Sequence, residues 1–236
     1  MCVAAMAWVM HPRWHLVAIG NRDELHARPT APLARWDNGV IAGRDLQAGG
    51  TWLGVHPSGR FALVTNRRVD GDPLPNKASR GALVTDWLVD AALPELTTLN
   101  AFNLFAVADA QALLLTNHPA DQTSVLAAGV HGLSNGAPAD RWYKTAQLES
   151  ALAAWLDRTD SPAALLAELA NETPDPGDLA NPFSAPFIRH ARYGTRCSTV
   201  VAINRDGDGV IIERRFDQAG LVTGETALDF RWPAQS

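Results

Sequence analysis

Short apolar runs separated by turns fill the first part of the chain and predict β-hairpins. Apolar residues dominate positions 2–10 and 15–20, and the sequence HPRW between them predicts the first turn. A second hairpin is predicted for residues 51–55 and 61–65, because Gly59 in the intervening HPSGR is suited to a positive φ. The pattern therefore predicts four strands before any helix.

Helical periodicity begins after Ser79, a residue typical of the N-cap position. A helix is predicted to about residue 93, just before Pro94, with one apolar face formed by Leu83, Trp87, Leu88 and Ala91. A second helix is predicted from residue 140, with Leu148, Leu152, Trp155 and Leu156 at helical spacing. Ser161-Pro162 predicts the start of a third helix, because serine is a common N-cap and proline suits the first helical position.

The remaining apolar runs predict further strands. They cover residues 102–108, 112–116, 124–130, 198–203, 210–216 and 226–232. Blocks of strands and blocks of helices alternate without the regular rhythm of a doubly wound sheet, which favours an α+β fold. Two antiparallel sheets with helices outside would bury these strands on both faces.

A proline-rich segment, residues 172–193, separates the third helix from the last strands. Loops of this length in a compact domain are typically functional or disordered. Phe183, Phe187 and Ile188 argue against disorder, so the segment is interpreted as a loop that covers a pocket.

Composition narrows the class of protein. A mass of 25.4 kDa with 47% hydrophobic residues indicates one domain over residues 1–236. A net charge of -5 provides no broad positive field, so nucleic acid is not an expected partner. The first apolar run has no basic residues before it and ends at His11-Pro12-Arg13, too short for a membrane span. Two cysteines form no disulfide framework, so we expect a soluble cytoplasmic protein.

The second residue, Cys2, is a candidate nucleophile. Removal of Met1 would leave a thiol and a free α-amine on the same residue. An α-amine with a pKa of about 7.7–8.0 is partly neutral near pH 7 and accepts the thiol proton. The alternative is a structural cysteine at the start of a strand, because cysteine is among the most often buried residues.

Asn21-Arg22-Asp23-Glu24 directly follows the predicted strand of residues 15–20, at the end that a hairpin brings close to Cys2. Arg22 would lower the pKa of the thiol and orient an acyl group, and Asp23 would hold the α-ammonium or the arginine. The alternative is a solvated turn.

Other strand ends add amide and guanidinium groups. Asn135, at the end of Gly132-Leu133-Ser134-Asn135, has a side-chain amide suited to an oxyanion hole, and Asn66 is a second candidate donor. Arg196 would supply a second positive charge. Each asparagine is alternatively a turn residue, and Arg196 an ordinary surface arginine.

Together these segments resemble the NRDE family, the family of the transport and Golgi organisation protein 2. The resemblance is carried by Met1-Cys2, Asn21-Arg22-Asp23-Glu24, Gly50-Thr51-Trp52-Leu53-Gly54, Thr65-Asn66, Gly132-Leu133-Ser134-Asn135 and Tyr193-Gly194-Thr195-Arg196. That family resembles N-terminal-nucleophile hydrolases, which implies an αββα sandwich of two antiparallel sheets flanked by helices.

Among those hydrolases, the bile-salt hydrolases and penicillin V acylases also begin Met-Cys. The resemblance implies that Cys2 is nucleophile and base, that Arg22 and Asp23 position it, that Asn135 contributes to the oxyanion hole, and that Arg196 is a second arginine. The acylases separate the arginine and aspartate by two residues, whereas here they are adjacent. Glu24 is therefore an alternative holder of the role given to Asp23.

Two functions follow from the resemblance. The first is a cysteine hydrolase that cleaves an amide or thioester acyl substrate without a cofactor. The second is a carrier without enzymatic activity, because the family is associated with haem trafficking and with acyl-CoA or lipid handling. A haem ligand would need an axial residue, and no pattern selects one of the seven histidines. A third possibility is an inactive hydrolase that serves as an interaction scaffold.

Overall fold

The computed structural model describes residues 2–71, 73–158 and 160–233, in which two antiparallel β-sheets face each other. In chain order the strands are β1 (Cys2–Trp8), β2 (Trp14–Leu25), β3 (Thr30–Arg35), β4 (Ile41–Asp45), β5 (Leu53–His56), β6 (Arg60–Asn66), β7 (Phe102–Ala108), β8 (Gln111–Thr116), β9 (Gln122–Val125), β10 (Gly129–Leu133), β11 (Tyr193–Asn204), β12 (Asp208–Phe216) and β13 (Val222–Arg231). The first sheet has the order β10-β1-β2-β11-β12-β13, and the second has the order β3-β4-β5-β6-β7-β8-β9.

Helices cover the outer faces of both sheets. They are α1 (Arg80–Asp90), α2 (Tyr143–Leu156) and α3 (Leu165–Leu169). Helix α1 packs on the second sheet, α2 and α3 pack on the first, and a separate apolar layer fills the space between the sheets. These layers confirm the predicted α+β fold with an αββα sandwich. Within the described residues, no helix combines the length and the apolarity of a membrane span.

Side chains of β1 and β2 alternate between the two faces of the first sheet. The layer between the sheets includes Ala4, Met6, Trp8, Leu16 and Ala18. The layer under α2 and α3 includes Val3, Ala5, Ala7, Val17 and Ile19. By the same alternation, Cys2 and Arg22 face the space between the sheets, whereas Asn21 and Asp23 face the helices.

The predicted strand pairs are confirmed. β1 pairs with β2, and β5 pairs with β6 across a turn in which Gly59 has a φ of 94°. β7 pairs with β8, and β11 pairs with β12. β13 includes most of the last predicted run.

Two strand predictions need correction, and two further strands were not predicted. Asn21-Arg22-Asp23-Glu24 does not follow a strand but lies within β2, where it pairs with β11. Residues 124–130 are not one strand, because β9 ends at Val125 in the second sheet and β10 begins at Gly129 in the first. β3 and β4 were not predicted, since β3 is an edge strand with mostly exposed side chains and an internal Pro32.

The predicted helices are present with shorter bounds. The Ser79 side chain accepts the Gly81 N–H, but α1 ends at Asp90 because Ala91 adopts a left-handed conformation. Helix α2 begins at Tyr143 instead of residue 140. Ser161 accepts the Ala163 N–H and starts a 3-10 turn that leads into α3.

The proline-rich segment does not cover a pocket, contrary to the prediction. Its residues 184–188 are buried, and Phe187 packs edge-on against Phe216 at 4.9 Å between ring centres. Asn21, on the helix side of β2, donates to the Pro186 carbonyl at 2.9 Å. No residue of 172–193 is among the described residues that line the main cavity, so the segment belongs to the outer packing of the first sheet.

Candidate active site

A cavity of about 560 Å³ opens between the two sheets, at the end where β1 begins and β2 ends. Side chains from both sheets and from the start of α1 line it. The predicted residues among them are Cys2, Arg22, Asp23, Glu24, Asn66 and Arg196. The topology thus brings together residues that are far apart in the sequence.

Cys2 is the first residue of β1 and is 9% exposed. Arg22 lies opposite Cys2 on β2, and Cys197 lies opposite Arg22 on β11. Both cysteines are free thiols and line the same cavity. Because one strand lies between them, their backbones are two strand spacings apart, about 10 Å. That separation is too great for a disulfide without backbone movement.

The Cys2 thiol has a mixed electrostatic environment. Burial raises its pKa, and the Asp23 carboxyl adds to that rise. The Asp23 N–H, which donates to the Cys2 sulfur, and the Arg22 guanidinium act in the opposite direction by stabilising a thiolate. A nucleophilic Cys2 therefore needs a base or a further positive charge.

Arg22 is 8% exposed and presents its guanidinium to the cavity. Its Nη2 donates to Asp45 at 3.2 Å, and the same carboxylate oxygen accepts from Arg28 Nε at 2.6 Å. Burial disfavours the Asp45 carboxylate, but the hydrogen bonds from Arg28 and the Ala48 N–H outweigh this and lower its pKa. Arg22 Nη1 is buried and has no hydrogen-bond partner within the described structure.

Asp23 and Glu24 lie on opposite faces of β2 and are not interchangeable. The Asp23 carboxylate accepts from Thr195 Oγ1 at 2.7 Å, and burial raises its pKa from 3.8 to about 6. Glu24 lies beside two arginines, with its carboxylate 3.9 Å from Arg22 and 3.8 Å from Arg28. Asp23 is the one whose backbone contacts the Cys2 sulfur.

The segment Gly132-Leu133-Ser134-Asn135 supports the start of β1. Ser134 Oγ donates to the Cys2 carbonyl at 2.8 Å. Asn135 is fully buried, and its Nδ2 donates to the Asn66 carbonyl at 2.6 Å. Asn66 lines the cavity and is exposed, whereas Asn135 is absent from the described lining. Of these two asparagines, Asn66 is therefore the one at the cavity, and Asn135 lies behind it.

Asn21 and Arg196 have structural contacts. Asn21 Nδ2 donates to the carbonyls of Leu169 and Pro186, and its Oδ1 accepts from Ser198 at 2.6 Å, all on the helix side of the sheet. Arg196 lines the cavity, but its Nη1 donates to the carbonyls of Leu25, His26 and Arg28. Arg196 thus fixes the turn that carries Arg28.

Two buried groups of the site were not predicted. Glu213, on β12, lines the cavity and accepts from the Leu33 N–H at 2.9 Å and from Arg215 at 3.2 Å, while burial raises its pKa. Lys144 is 1% exposed, Asp23 and Cys2 act on its pKa, and its charge acts in turn on Asp23. The sequence does contain a signal for Lys144, because it precedes the apolar stripe of α2 by one turn, four residues before Leu148.

The layers form the αββα sandwich that the resemblance to N-terminal-nucleophile hydrolases implies, with a cavity at the start of β1. The solved structure of a Caenorhabditis elegans N-acylethanolamine-hydrolyzing acid amidase ortholog aligns with a TM-score of 0.54 at 12% identity, over 84% of this chain and 92% of that one. At that identity the similarity shows the fold alone.

Within that fold, the chain belongs to the family described as Transport and Golgi organisation 2, whose family model matches residues 1–218. The Bos taurus Transport and Golgi organization protein 2 homolog is 30% identical over 241 residues, which covers 85% of this chain and 86% of the relative. The Homo sapiens homolog is 29% identical over 254 residues, covering 90% and 91%. The family resemblance expected from the sequence is confirmed.

Proposed function

We propose that this protein is a hydrolase that cleaves an amide or thioester bond through an acyl intermediate on Cys2. One observation carries the proposal: Cys2 faces the cavity directly beside an unpartnered N–H group of the buried Arg22. A nucleophile and a donor for an acyl oxygen are the two groups that acyl transfer requires.

In the proposed reaction, Met1, which lies outside the described residues, is first removed. The freed α-amine of Cys2 takes the thiol proton, and the sulfur attacks the acyl carbon. The Arg22 guanidinium and the Asn66 amide donate to the developing oxyanion. Collapse of the tetrahedral intermediate breaks the bond to the leaving group, which takes the proton from the α-ammonium. Water then hydrolyses the thioester on Cys2 and regenerates the thiol.

The first test is the intact mass of the purified protein before and after brief exposure to a thiol-selective electrophile. We expect a mass without Met1 and one fast label, on Cys2. Cys197 is a suitable internal comparison, because burial raises its pKa well above that of an ordinary thiol. Cys2→Ser should abolish fast labelling and Cys197→Ser should not. A retained Met1, or a Cys2 that labels as slowly as an ordinary thiol, would contradict the proposal.

Turnover is the second test. A panel of acyl amides and acyl thioesters of increasing chain length should include compounds that wild type hydrolyses and Cys2→Ala does not. Cys2→Ala should still bind them, because the rest of the cavity is intact. Hydrolysis that persists in Cys2→Ala would assign the reaction to another group.

A carrier of an acyl conjugate or haem is the second candidate function. The cavity combines aromatic side chains, Trp52 and Phe216, with an excess of arginine and lysine, which suits an anionic apolar ligand. The described lining contains no histidine, methionine or tyrosine, so haem would need an axial sulfur from Cys2 or Cys197. A haem absorbance shift that is lost in Cys2→Ala/Cys197→Ala would support haem. Unchanged binding in that variant would place haem outside this cavity.

A further inference from the structure

Lys144 is buried on the helix side of the first sheet. It is in the first turn of α2 and is 1% exposed. Its Nζ has no hydrogen-bond partner among the described residues and lies 5.7 Å from the ring centre of Trp142. A buried ammonium without a partner is costly, so this position is unusual for a lysine that only fills space.

The direction of α2 brings Lys144 towards the end of β1 that carries Cys2. At the other end of the helix, Trp155 packs against Trp14, the first residue of β2, at 5.6 Å between ring centres. The first turn approaches β10 closely, because a Cβ on Gly132 would lie 2.3 Å from the Thr145 side chain. The helix start is therefore held over the strands that begin and end at the candidate site.

Three charged or titratable groups from other elements act on Lys144. Asp23 comes from β2, Cys2 from β1, and Arg68 from the segment after β6. Burial lowers the pKa of Lys144, and Asp23 and Cys2 oppose that shift, whereas Arg68 adds to it. Lys144 acts in turn on Asp23, where it is the largest influence that favours the carboxylate. The two residues are thus an acid and an amine, both buried behind Cys2, that act on each other electrostatically without a direct hydrogen bond from Lys144.

We propose that Lys144 is a positioning residue for Cys2: its positive charge balances the Asp23 carboxylate, so that the amine and thiol of Cys2 lose their protons at lower pH. This role rests on the proposed function of Cys2 as an N-terminal nucleophile. Without Lys144, the Asp23 carboxylate would hold the α-ammonium of Cys2 more firmly, and the amine would be a poorer base near neutral pH. A nearby positive charge also favours the thiolate, so both effects have the same sign.

The test is the pH dependence of Cys2 labelling by iodoacetamide, measured by intact mass in wild type and Lys144→Met. We expect the midpoint of the labelling rate to rise by about one pH unit in Lys144→Met, which slows labelling at pH 7 about tenfold. The rates should converge above both midpoints, which a loss of folded protein would not produce. Thermal melting confirms that the variant is folded.

The matched control is Arg141→Met, which removes a positive charge two residues before α2 begins. The Arg141 side chain is 76% exposed and pairs with Glu149, so its charge is screened by solvent and the midpoint should not move. An unchanged midpoint in folded Lys144→Met would overturn the proposal.

If Lys144→Met does not fold, the same comparison is made in a protein that already carries Asp23→Asn. Asp23→Asn/Lys144→Met removes both buried charges, and its midpoint should lie above that of Asp23→Asn alone. Equal midpoints in these two variants would also overturn the role of Lys144. The readout needs no turnover, so a protein that hydrolyses none of the substrates still reports on Lys144. Conversely, an active Lys144→Met with the wild-type midpoint would contradict this inference and leave the hydrolase intact.

Discussion

At the scale of single residues, Arg22 and Asp23 are neighbours in the sequence, and for that reason their side chains lie on opposite faces of β2. Successive side chains of a strand point to opposite faces, so neighbours in sequence enter different environments. Arg22 enters the cavity, and Asp23 enters the layer under α2 with Thr195 and Lys144. One strand therefore places a guanidinium in the cavity on one face and a buried acid on the other.

The burial of Asp23 makes a prediction about stability. Burial is the main reason that its pKa rises from 3.8 to about 6, so folding disfavours the carboxylate. This contribution to stability is complete below pH 3.8 and is lost as the pH rises through about 6. At about 1.4 kcal/mol per unit of pKa, the loss is about 3 kcal/mol.

Asp23→Asn should therefore gain stability relative to wild type between pH 4 and pH 7, by up to about 3 kcal/mol. Urea unfolding of both proteins at each pH gives the free energies of unfolding. Asp175→Asn is a control at a half-buried carboxyl whose Oδ1 accepts from the Gly177 N–H. A difference between Asp23→Asn and wild type that does not change with pH would show that Asp23 ionises as readily in the folded protein as in the unfolded chain.

At the scale of elements, local patterns predict the hairpins and helices because their signals lie within a few residues. Gly59 and Ser79 occupy the turn and cap positions that the sequence indicates. Residues 21–24 resemble a turn because three of the four are charged, yet they are strand residues with partners from β11. Those partners are about 170 residues away in the sequence. The periodicity of a short segment therefore contains no information about this pairing.

Gly132 is the point at which one element limits the position of another. Its ideal Cβ would lie 2.3 Å from Thr145 Cγ2 and 2.8 Å from Glu149 Oε1, so Gly132→Ala should force α2 away from β10. We expect a loss of about 1–3 kcal/mol in the free energy of unfolding, as is usual for overpacking. Since α2 carries Lys144, the midpoint of Cys2 labelling should rise as well.

Two comparisons test this interpretation of Gly132. Gly132→Ala/Thr145→Ala removes the clashing methyl and should recover part of the stability. Gly177→Ala adds a Cβ where the nearest atom, an Asp175 oxygen, is 3.3 Å away, and it should change the stability little. A Gly132→Ala variant as stable as wild type would show that α2 does not depend on this close approach.

At the scale of the whole molecule, the charge of the cavity differs from that of the chain. The net charge is -5, yet the described lining contains seven Lys and Arg residues and four Asp and Glu residues. Of those four carboxyls, that of Asp23 lies on the helix side of β2, and that of Glu213 has a raised pKa that favours its neutral form. The sheets thus gather positive charge inside an acidic protein.

The sequence could predict the family and the sandwich because their signals are short segments in a fixed order. It could not predict the lining, since Arg44, Lys77 with Arg80, and Arg215 come from three separate segments that meet only in the fold. Glu213 likewise lies between Ile212 and Arg214 on β12, where the local sequence does not indicate a functional residue. Its role at the site depends on the hydrogen bond from Leu33 of the second sheet.

This charge predicts a preference for anionic apolar ligands, whichever of the two functions is correct. A medium-chain fatty acid should bind about tenfold more tightly than the alcohol of the same length at ~0.05 M salt, and the difference should shrink at ~0.5 M salt. Lys77→Gln should weaken binding of the acid and leave binding of the alcohol unchanged, because Lys77 lines the cavity. Arg158→Gln, which changes an exposed arginine after α2, should affect neither ligand. Calorimetric titration measures the affinity of each protein for each ligand. Equal binding of acid and alcohol by wild type at both salt concentrations would show that the arginines and lysines are neutralised within the cavity.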